Sequence, residues 1–238
     1  MATFLAASAP HSGDWLLALP VSSCGLRLSD DAVRVAVSLR LGCSICVAHT
    51  CRCGAMVDVQ GQHGLICKQA PSRIVRHNVM NDIIVRSLSS AGIPASKEPT
   101  GLTRLDGKRP DGLTLVPWQG GKPVTWDITV VSTLAQSYLH ASGHSAAGAA
   151  ELAVSRKEAK YSCLPQSFLF VPIALETLGA IAPGSLEFLT EVGRRLSAAT
   201  GDALETAFLF QRISVAIRRF NAALIHELLV VTDVEPGL

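Results

Sequence analysis

Two aspartates belong to a predicted β-hairpin. Asp111 precedes a β-rich run at 113–116, and Asp127 lies within a second run at 124–131. A hairpin folded about Gln119 brings the two aspartates opposite each other, about 5 Å apart. Since alternate residues of a strand point to opposite faces, Asp127 is expected on the polar face of an otherwise apolar strand.

Opposed carboxylates repel each other unless a cation neutralises them. Mg²⁺ is typically held by one or two carboxylates together with substrate phosphate. The pair therefore predicts a site for a hard divalent cation. The alternative is structural: Asp111 caps a turn after Pro110, and Asp127 lies at a solvated end of the sheet.

A predicted helix at 146–161 carries Lys157, Lys160 and Tyr161, and Lys157 shares a face with one of the other two. A lysine beside a metal–phosphate centre can orient an attacking water or neutralise charge that develops on phosphate. The alternative is an ordinary solvated, lysine-rich helix surface.

The segment 43–70 contains four soft metal ligands in the pattern Cys-x-Cys-x9-His-x3-Cys, namely Cys51, Cys53, His63 and Cys67. Four such ligands suit a tetrahedral structural zinc ion. The single residue between the first two cysteines is a tight spacing, so Cys46 or His49 could replace one member. The alternative is a set of reduced, uncoordinated cysteines.

Residues 73–122 have a net charge of +4, whereas the whole chain has a net charge of +2. Arg104, Lys108 and Arg109 precede Asp111 and are predicted to contact phosphate. His77 lies beside Asn78 on a predicted helix, where it either contacts DNA or is an ordinary surface histidine. The alternative for this basic stretch, without a binding function, is a solvated charged face.

The elements that must position these residues are read from hydrophobic periodicity and end signals. Helices are predicted at 26–41, 74–91, 146–161, 185–199 and 203–229, and strands at 113–116, 124–131 and 167–175. No element is assigned to 1–20. This order predicts an α/β or α+β fold with a small mixed β-sheet flanked by helices.

Composition limits the class of protein. Of the 238 residues, 48% are hydrophobic and 17% charged, which excludes a mainly disordered chain. The apolar runs are shorter than the ~20 residues of a membrane-spanning helix, so no membrane association is expected. The N-terminus lacks the basic start of a signal peptide, and the clustered cysteines favour an intracellular, reducing setting.

Taken together, these motifs resemble the PD-(D/E)XK nuclease pattern. The closer resemblance is to the restriction-like endonuclease region at the C-terminus of site-specific non-LTR retrotransposon proteins, and it spans about residues 43–180. The residues that carry it are, in order, the Cys51-Cys53-His63-Cys67 knuckle, Arg76-His77-Asn78, Arg109-Pro110-Asp111, Asp127-x-Thr129-Val130 and Lys157-x-x-Lys160-Tyr161.

The resemblance implies a metal-dependent endonuclease that hydrolyses DNA phosphodiesters, with Mg²⁺ or Mn²⁺ held by Asp111 and Asp127. It implies double-stranded DNA as the substrate and the RNA of the retrotransposon as a further partner. It also implies a polymerase portion in a longer form of the protein, and action in the nucleus. It divides the chain into an N-terminal extension (1–42), a zinc-knuckle-like segment (43–70) and a restriction-endonuclease-like domain (71–232). In a retrotransposon, hydrolysis of one strand leaves a nick whose 3′ hydroxyl primes reverse transcription.

One departure from the motif concerns Thr129, which stands where the pattern has its lysine. The resemblance transfers that role to Lys157 or Lys160 on the following helix. It also suggests an upstream acidic residue at the metal site, for which Glu98 is the first candidate and Asp82 the second. Because of this departure, there are two alternatives to the endonuclease: a catalytically silent nucleic-acid-binding module, and a non-functional fragment of a retrotransposon protein.

Overall fold

The computed structural model describes residues 1–104 and 106–228. In chain order, the helices and strands of these residues are α1 (Ala2–Ser8), α2 (Asp30–Leu41), β1 (His49–Thr50), β2 (Met56–Val57), α3 (Ser72–Ser90), β3 (Ala95–Lys97), β4 (Gly112–Thr114), β5 (Val124–Val131), α4 (Leu139–His144), α5 (Gly148–Lys160), β6 (Leu169–Glu176), α6 (Pro183–Thr200) and α7 (Glu205–His226). Short 3-10 turns lie at Asp14–Leu16, Ser22–Cys24, Gln62–Leu65 and Thr100–Leu102.

Strands β3 to β6 form one sheet in the order β3-β4-β5-β6. The pairs β3–β4 and β4–β5 are antiparallel, whereas β5 and β6 are parallel. A parallel pair needs a long crossover, and α4 and α5 lie in this one. Strands β1 and β2 form a separate small hairpin inside the Cys/His segment. The predicted mixed sheet flanked by helices is therefore confirmed.

The β4–β5 hairpin has the predicted register. Gly112 pairs with Trp126 and Leu113 with Thr125, as expected for a fold about Gln119. Asp111 lies one residue before β4, and its backbone N–H donates to the carbonyl of Trp126 at 2.8 Å. Continued by one residue, this register places Asp111 across the hairpin from Asp127.

The sheet is covered on both faces. On one face, Trp126 and Ile128 join a core built with α3, α6 and α7. On the other face, Ala174 of β6 packs in a cluster with Ala150 and Ala153 of α5. Asp127 is only 3% exposed. Its face of β5 is polar, as predicted, but α5 covers it, so the alternative that placed Asp127 at a solvated end of the sheet is wrong.

The other predicted elements have observed counterparts with ends shifted by a few residues. The helix at 26–41 is shortened to α2, because the Ser29 hydroxyl caps its first turn by accepting from the Ala32 N–H at 3.2 Å. Gly42 ends this helix in the left-handed conformation that glycine adopts without strain. Residues 229–232, the end of the predicted last helix and domain, lie outside the described residues.

The first 20 residues contain structure that the sequence did not predict. Helix α1 packs against α2 and α4. Trp15 is buried in a cluster with Ala36 and Val215, and its backbone N–H donates to the Ser214 hydroxyl at 3.2 Å. The segment has no strong local helix signal, so its conformation depends on these tertiary contacts.

Arg218 of α7 joins the start of the chain to the sheet. Its guanidinium donates to three backbone carbonyls, those of Ser12 (2.8 Å), Thr177 (2.7 Å) and Leu178 (2.7 Å). Burial lowers the pKa of Arg218 to about 9. Helix α7 therefore connects the N-terminal segment to the end of β6.

Among the described residues, no helix combines the length and the apolar character that crossing a membrane requires.

Candidate active site and metal cluster

Asp111 is positioned by the residue that follows it. A Cβ atom on Gly112 would lie 2.0 Å from Cζ2 of Trp126, so only glycine fits beneath the indole ring. Asn81 of α3 reinforces the arrangement, because its side chain donates to the Asp111 carbonyl at 2.9 Å and accepts from the Trp126 indole N–H at 2.9 Å. The Asp-Gly pair is thus held between α3 and β5.

The carboxylate of Asp111 accepts two hydrogen bonds at one oxygen. Its Oδ2 accepts from the backbone N–H of Ile128 at 2.5 Å and lies 3.0 Å from Nε2 of His77. The hydrogen bond that His77 donates to Asp111 raises the pKa of His77, and burial opposes this shift. His77, predicted as a nucleic-acid contact, is therefore a direct partner of a candidate catalytic carboxylate.

Asp127 is paired with both candidate lysines. Lys157 Nζ contacts Oδ1 of Asp127, and Lys160 Nζ lies 3.3 Å from Oδ2. Both lysine side chains are about three-quarters buried. Since α5 crosses the face of β5 that carries Asp127, the predicted shared face of the helix brings both lysines to one carboxylate.

Tyr161 links this helix to the loop before Asp111. Its hydroxyl accepts from Lys160 Nζ at 2.7 Å and donates to the carbonyl of Arg109 at 2.8 Å. Burial, followed by the nearby Asp127 carboxylate, raises the pKa of Tyr161 above its ordinary value. The phenol therefore remains protonated and keeps its donor role.

The two upstream acidic candidates make ion pairs of their own. Glu98 lies beside Asp111 in the backbone, donating its N–H to the Asp111 carbonyl at 3.0 Å, but its carboxylate pairs with Arg109. Asp82 pairs with Lys97. Neither carboxylate contacts Asp127 in the described structure, and their role at a metal remains a prediction.

The remaining basic candidates lie around the loop before Asp111. Arg104 and Lys108 flank Asp106, at 3.3 and 3.7 Å, and the Arg104 guanidinium lies 5.6 Å from the Tyr161 ring centre. Lys108 is the most exposed of these side chains. Their predicted phosphate contacts stay predictions.

Trp118 anchors the hairpin instead of standing free. It is buried, its ring lies 5.2 Å from that of Phe188, and the Arg195 guanidinium lies 3.7 Å from its centre. This packing fixes the tip of the β4–β5 hairpin against α6.

A cavity of about 490 Å³ opens beside the carboxylates and reaches the Cys/His segment. Five of its lining side chains are basic, and none of the described lining residues is acidic: Lys68, Arg73, Arg76, His77 and Lys157. Thr129 also lines it, so the residue at the position of the missing motif lysine faces open space beside the site.

The Cys/His segment brings together the four predicted ligands. Ligand atoms of Cys51, Cys53, His63 and Cys67 all lie within 4.8 Å of one another, the one such group of three or more found in the described ranges. Cys53 Sγ lies 3.1 Å from His63 Nε2, and Cys51 Sγ lies 3.8 Å from Cys67 Sγ. This cluster could hold a metal ion such as zinc.

The two substitute ligands lie outside this cluster. Cys46 Sγ contacts the carbonyl of Asp58 at 3.3 Å, and His49 Nε2 lies 2.9 Å from the carbonyl of Leu228. Of the alternatives left open by the sequence, the geometry favours the original set of four.

Asn81 is the site residue that the sequence reasoning missed. It lies four residues after His77, hence on the same helical face, and this spacing is the signal that could have identified it.

Comparison with protein-family models finds no family that matches this chain, and comparison with curated proteins finds no significant match.

Proposed function

We propose that the chain is a metal-dependent DNA endonuclease of the restriction-like type found in non-LTR retrotransposon proteins. The observation that carries this proposal is the meeting of Asp111, Asp127, Lys157, Lys160 and His77 beside a basic cavity. These groups come from α3, the β4–β5 hairpin and α5, and such convergence of titratable groups is typical of functional sites.

The donor set suits a hard divalent cation. Asp111 and Asp127 offer carboxylate oxygens, the ligands that Mg²⁺ prefers, and Mn²⁺ accepts the same donors. The contacts of the Asp111 carboxylate within the described residues fall on Oδ2, which leaves Oδ1 for a further ligand. When bound, such an ion supplies Lewis-acid polarisation of the phosphate and lowers the pKa of a bound water.

The two lysines would have different tasks. Lys157 lines the cavity and contacts Asp127, so it is placed to neutralise charge on a phosphate there. Lys160 is held by Tyr161 and keeps the Asp127 carboxylate oriented. Double-stranded DNA would be the substrate, and the nucleus the place of action. The RNA of the retrotransposon and a polymerase portion in a longer form of the protein would be partners.

The test is nicking of supercoiled plasmid DNA by the full chain, with Mg²⁺ or Mn²⁺. Asp111→Asn and Asp127→Asn are expected to abolish metal-dependent nicking, because each removes a charged oxygen ligand while keeping the side-chain shape. Asp30→Asn is the matched control, since Asp30 is exposed in the first turn of α2, and it should nick like the wild type.

A second candidate is a catalytically silent nucleic-acid-binding module. The observation in its favour is that Asp127 is already neutralised by two lysines, while Thr129 stands at the motif position of a lysine. Wild-type protein that binds DNA but nicks no better than the Asp127→Asn variant would establish this module and reject the endonuclease.

A further inference from the structure

The cavity between the carboxylates and the Cys/His segment is lined by two guanidinium groups, those of Arg73 and Arg76, whose charges are not matched by an acidic side chain of the described residues. Arg76 is 3% exposed, and its two hydrogen bonds are long, 3.4 Å to Asn221 Oδ1 and 3.3 Å to the Val130 carbonyl. Within the described residues neither Arg76 nor Arg73 forms an ion pair. A buried cation without a counter-ion is costly.

The two arginines also repel each other. Burial lowers the pKa of Arg76 to about 10, and the charge of Arg73 adds to this shift. Arg73 donates only weakly, from Nη1 to the carbonyls of Ile66 and Cys67 at 3.3 and 3.4 Å. An anion in the cavity would compensate both charges, and Arg is the side chain best suited to bind phosphate through two parallel hydrogen bonds.

The lining of the cavity also contains apolar side chains. They include Ala70, Pro71, Ile74 and Ile128, of which Ile74 is largely exposed. A cavity of about 490 Å³ lies within the range of small-ligand sites. A cavity of this size, lined by both basic and apolar side chains, can accept a nucleotide-sized group but not a base-paired helix.

We propose that this cavity binds a phosphodiester and its unpaired nucleotide next to the scissile bond, with Arg73, Arg76 and Lys68 on the phosphate and the apolar side chains of Pro71 and Ile74 against the base. The inference rests on the proposed function, because the substrate strand would run from Lys157 at the carboxylates towards the Cys/His segment. It identifies the preferred substrate as DNA with a locally unpaired strand.

The test measures fluorescence anisotropy of a labelled single-stranded oligonucleotide and of its duplex, using the full chain without added Mg²⁺ or Mn²⁺. The wild type should bind the single strand more tightly than the duplex. Arg73→Gln and Lys68→Gln should each weaken single-strand binding roughly tenfold and remove the preference. Each should also reduce the slope of log affinity against log salt by about 0.7.

Arg86→Gln is the matched control, since Arg86 is exposed on the same helix but does not line the cavity. It should change binding by less than about twofold. Because Arg73 touches the Cys67 carbonyl, the metal content of Arg73→Gln is measured in parallel. Lys68→Gln makes the test independent of that contact.

Retention of the single-strand preference in Lys68→Gln and in metal-replete Arg73→Gln would overturn the inference. So would equal competition by inorganic phosphate and by unlabelled oligonucleotide, which would indicate a free-phosphate site. A wild type that shows the preference but never nicks would reject the endonuclease and leave the cavity assignment standing. Nicking by the wild type, with no effect of the cavity variants on binding, would reject the cavity assignment and leave the endonuclease standing.

Discussion

At the residue scale, each carboxylate of the site has a cationic or hydrogen-bonding partner within the protein. Lys157 and Lys160 neutralise Asp127, and His77 contacts Asp111. From the sequence alone, two opposed aspartates are expected to need a cation that suppresses their repulsion. The structure supplies that compensation from α3 and α5, so a metal is favoured only by the carboxylate donor set, whereas the basic cavity favours a phosphate.

The Cys/His cluster yields a prediction at the same scale. Wild-type protein is expected to contain about one zinc ion per chain, and His63→Ala should lose it, because a tetrahedral structural site needs all four ligands. Elemental analysis of the purified protein by mass spectrometry measures this directly.

The control is His49→Ala, the same substitution at a histidine outside the cluster, which should keep its zinc. Loss of zinc in His49→Ala with retention in His63→Ala would instead assign His49 as the ligand.

At the element scale, local signals predicted long helices and long strands well. Strand β5 begins and ends where its β-branched run does, and α3 differs from the prediction by two residues at its start. Strand β3 and helix α4 were missed, because three and six residues carry too little periodicity.

The composition of the site was harder to predict than its elements. The spacing of Lys157 and Lys160 showed that they share a face. The contact between His77 and Asp111 joins residues 34 positions apart and depends on how α3 packs against the hairpin. The burial of Asp127 likewise depends on α5 crossing the sheet, which no local pattern encodes.

Helix α5 is held at its start by Glu176, the last residue of β6, and this yields a pH prediction. Glu176 Oε1 accepts from the backbone N–H groups of Ala149 (3.0 Å) and Ala150 (3.2 Å). Its Oε2 has no partner within the described residues, and burial raises the pKa of the carboxyl.

A carboxyl with a raised pKa in the folded state stabilises the fold fully below its unfolded pKa of about 4.3, and loses this contribution as pH rises through the raised value. Glu176→Gln stays neutral, so its melting temperature relative to wild type should increase from about pH 4 to about pH 8. Thermal unfolding followed by circular dichroism at both pH values measures this. Glu187→Gln, an exposed site on α6, should track the wild type throughout.

At the scale of the whole molecule, helix α7 unites the three predicted segments. Gly64 of the Cys/His segment packs closely against the backbone of Leu224 and Ile225, and Trp15 of the N-terminal segment packs against Val215. Helix α7 also packs against α3 and α6 in the main core. The N-terminal segment is therefore part of the same packed structure as the candidate site.

This packing predicts that the N-terminal segment unfolds together with the core. Trp15→Ala should lower the free energy of unfolding by about 3–5 kcal/mol, because it empties a buried aromatic site. Leu17→Ala, two residues away but 72% exposed, should change it by less than about 0.5 kcal/mol. Denaturant titration, monitored by both circular dichroism and tryptophan fluorescence, measures the values. An equal, small effect of both variants would show that the segment is only loosely attached.

The bond between Arg218 and the Ser12 carbonyl has a consequence for how the protein is made. Its two residues are 206 positions apart in the chain. At about 5–20 residues per second, a ribosome needs about 10–40 s to synthesise the intervening chain. During that interval Trp15 and the apolar side of α2 lack their partners on α7. The N-terminal segment therefore completes its packing only after α7 has been synthesised, and the nascent chain passes through a period in which chaperones can engage its exposed N-terminal surface.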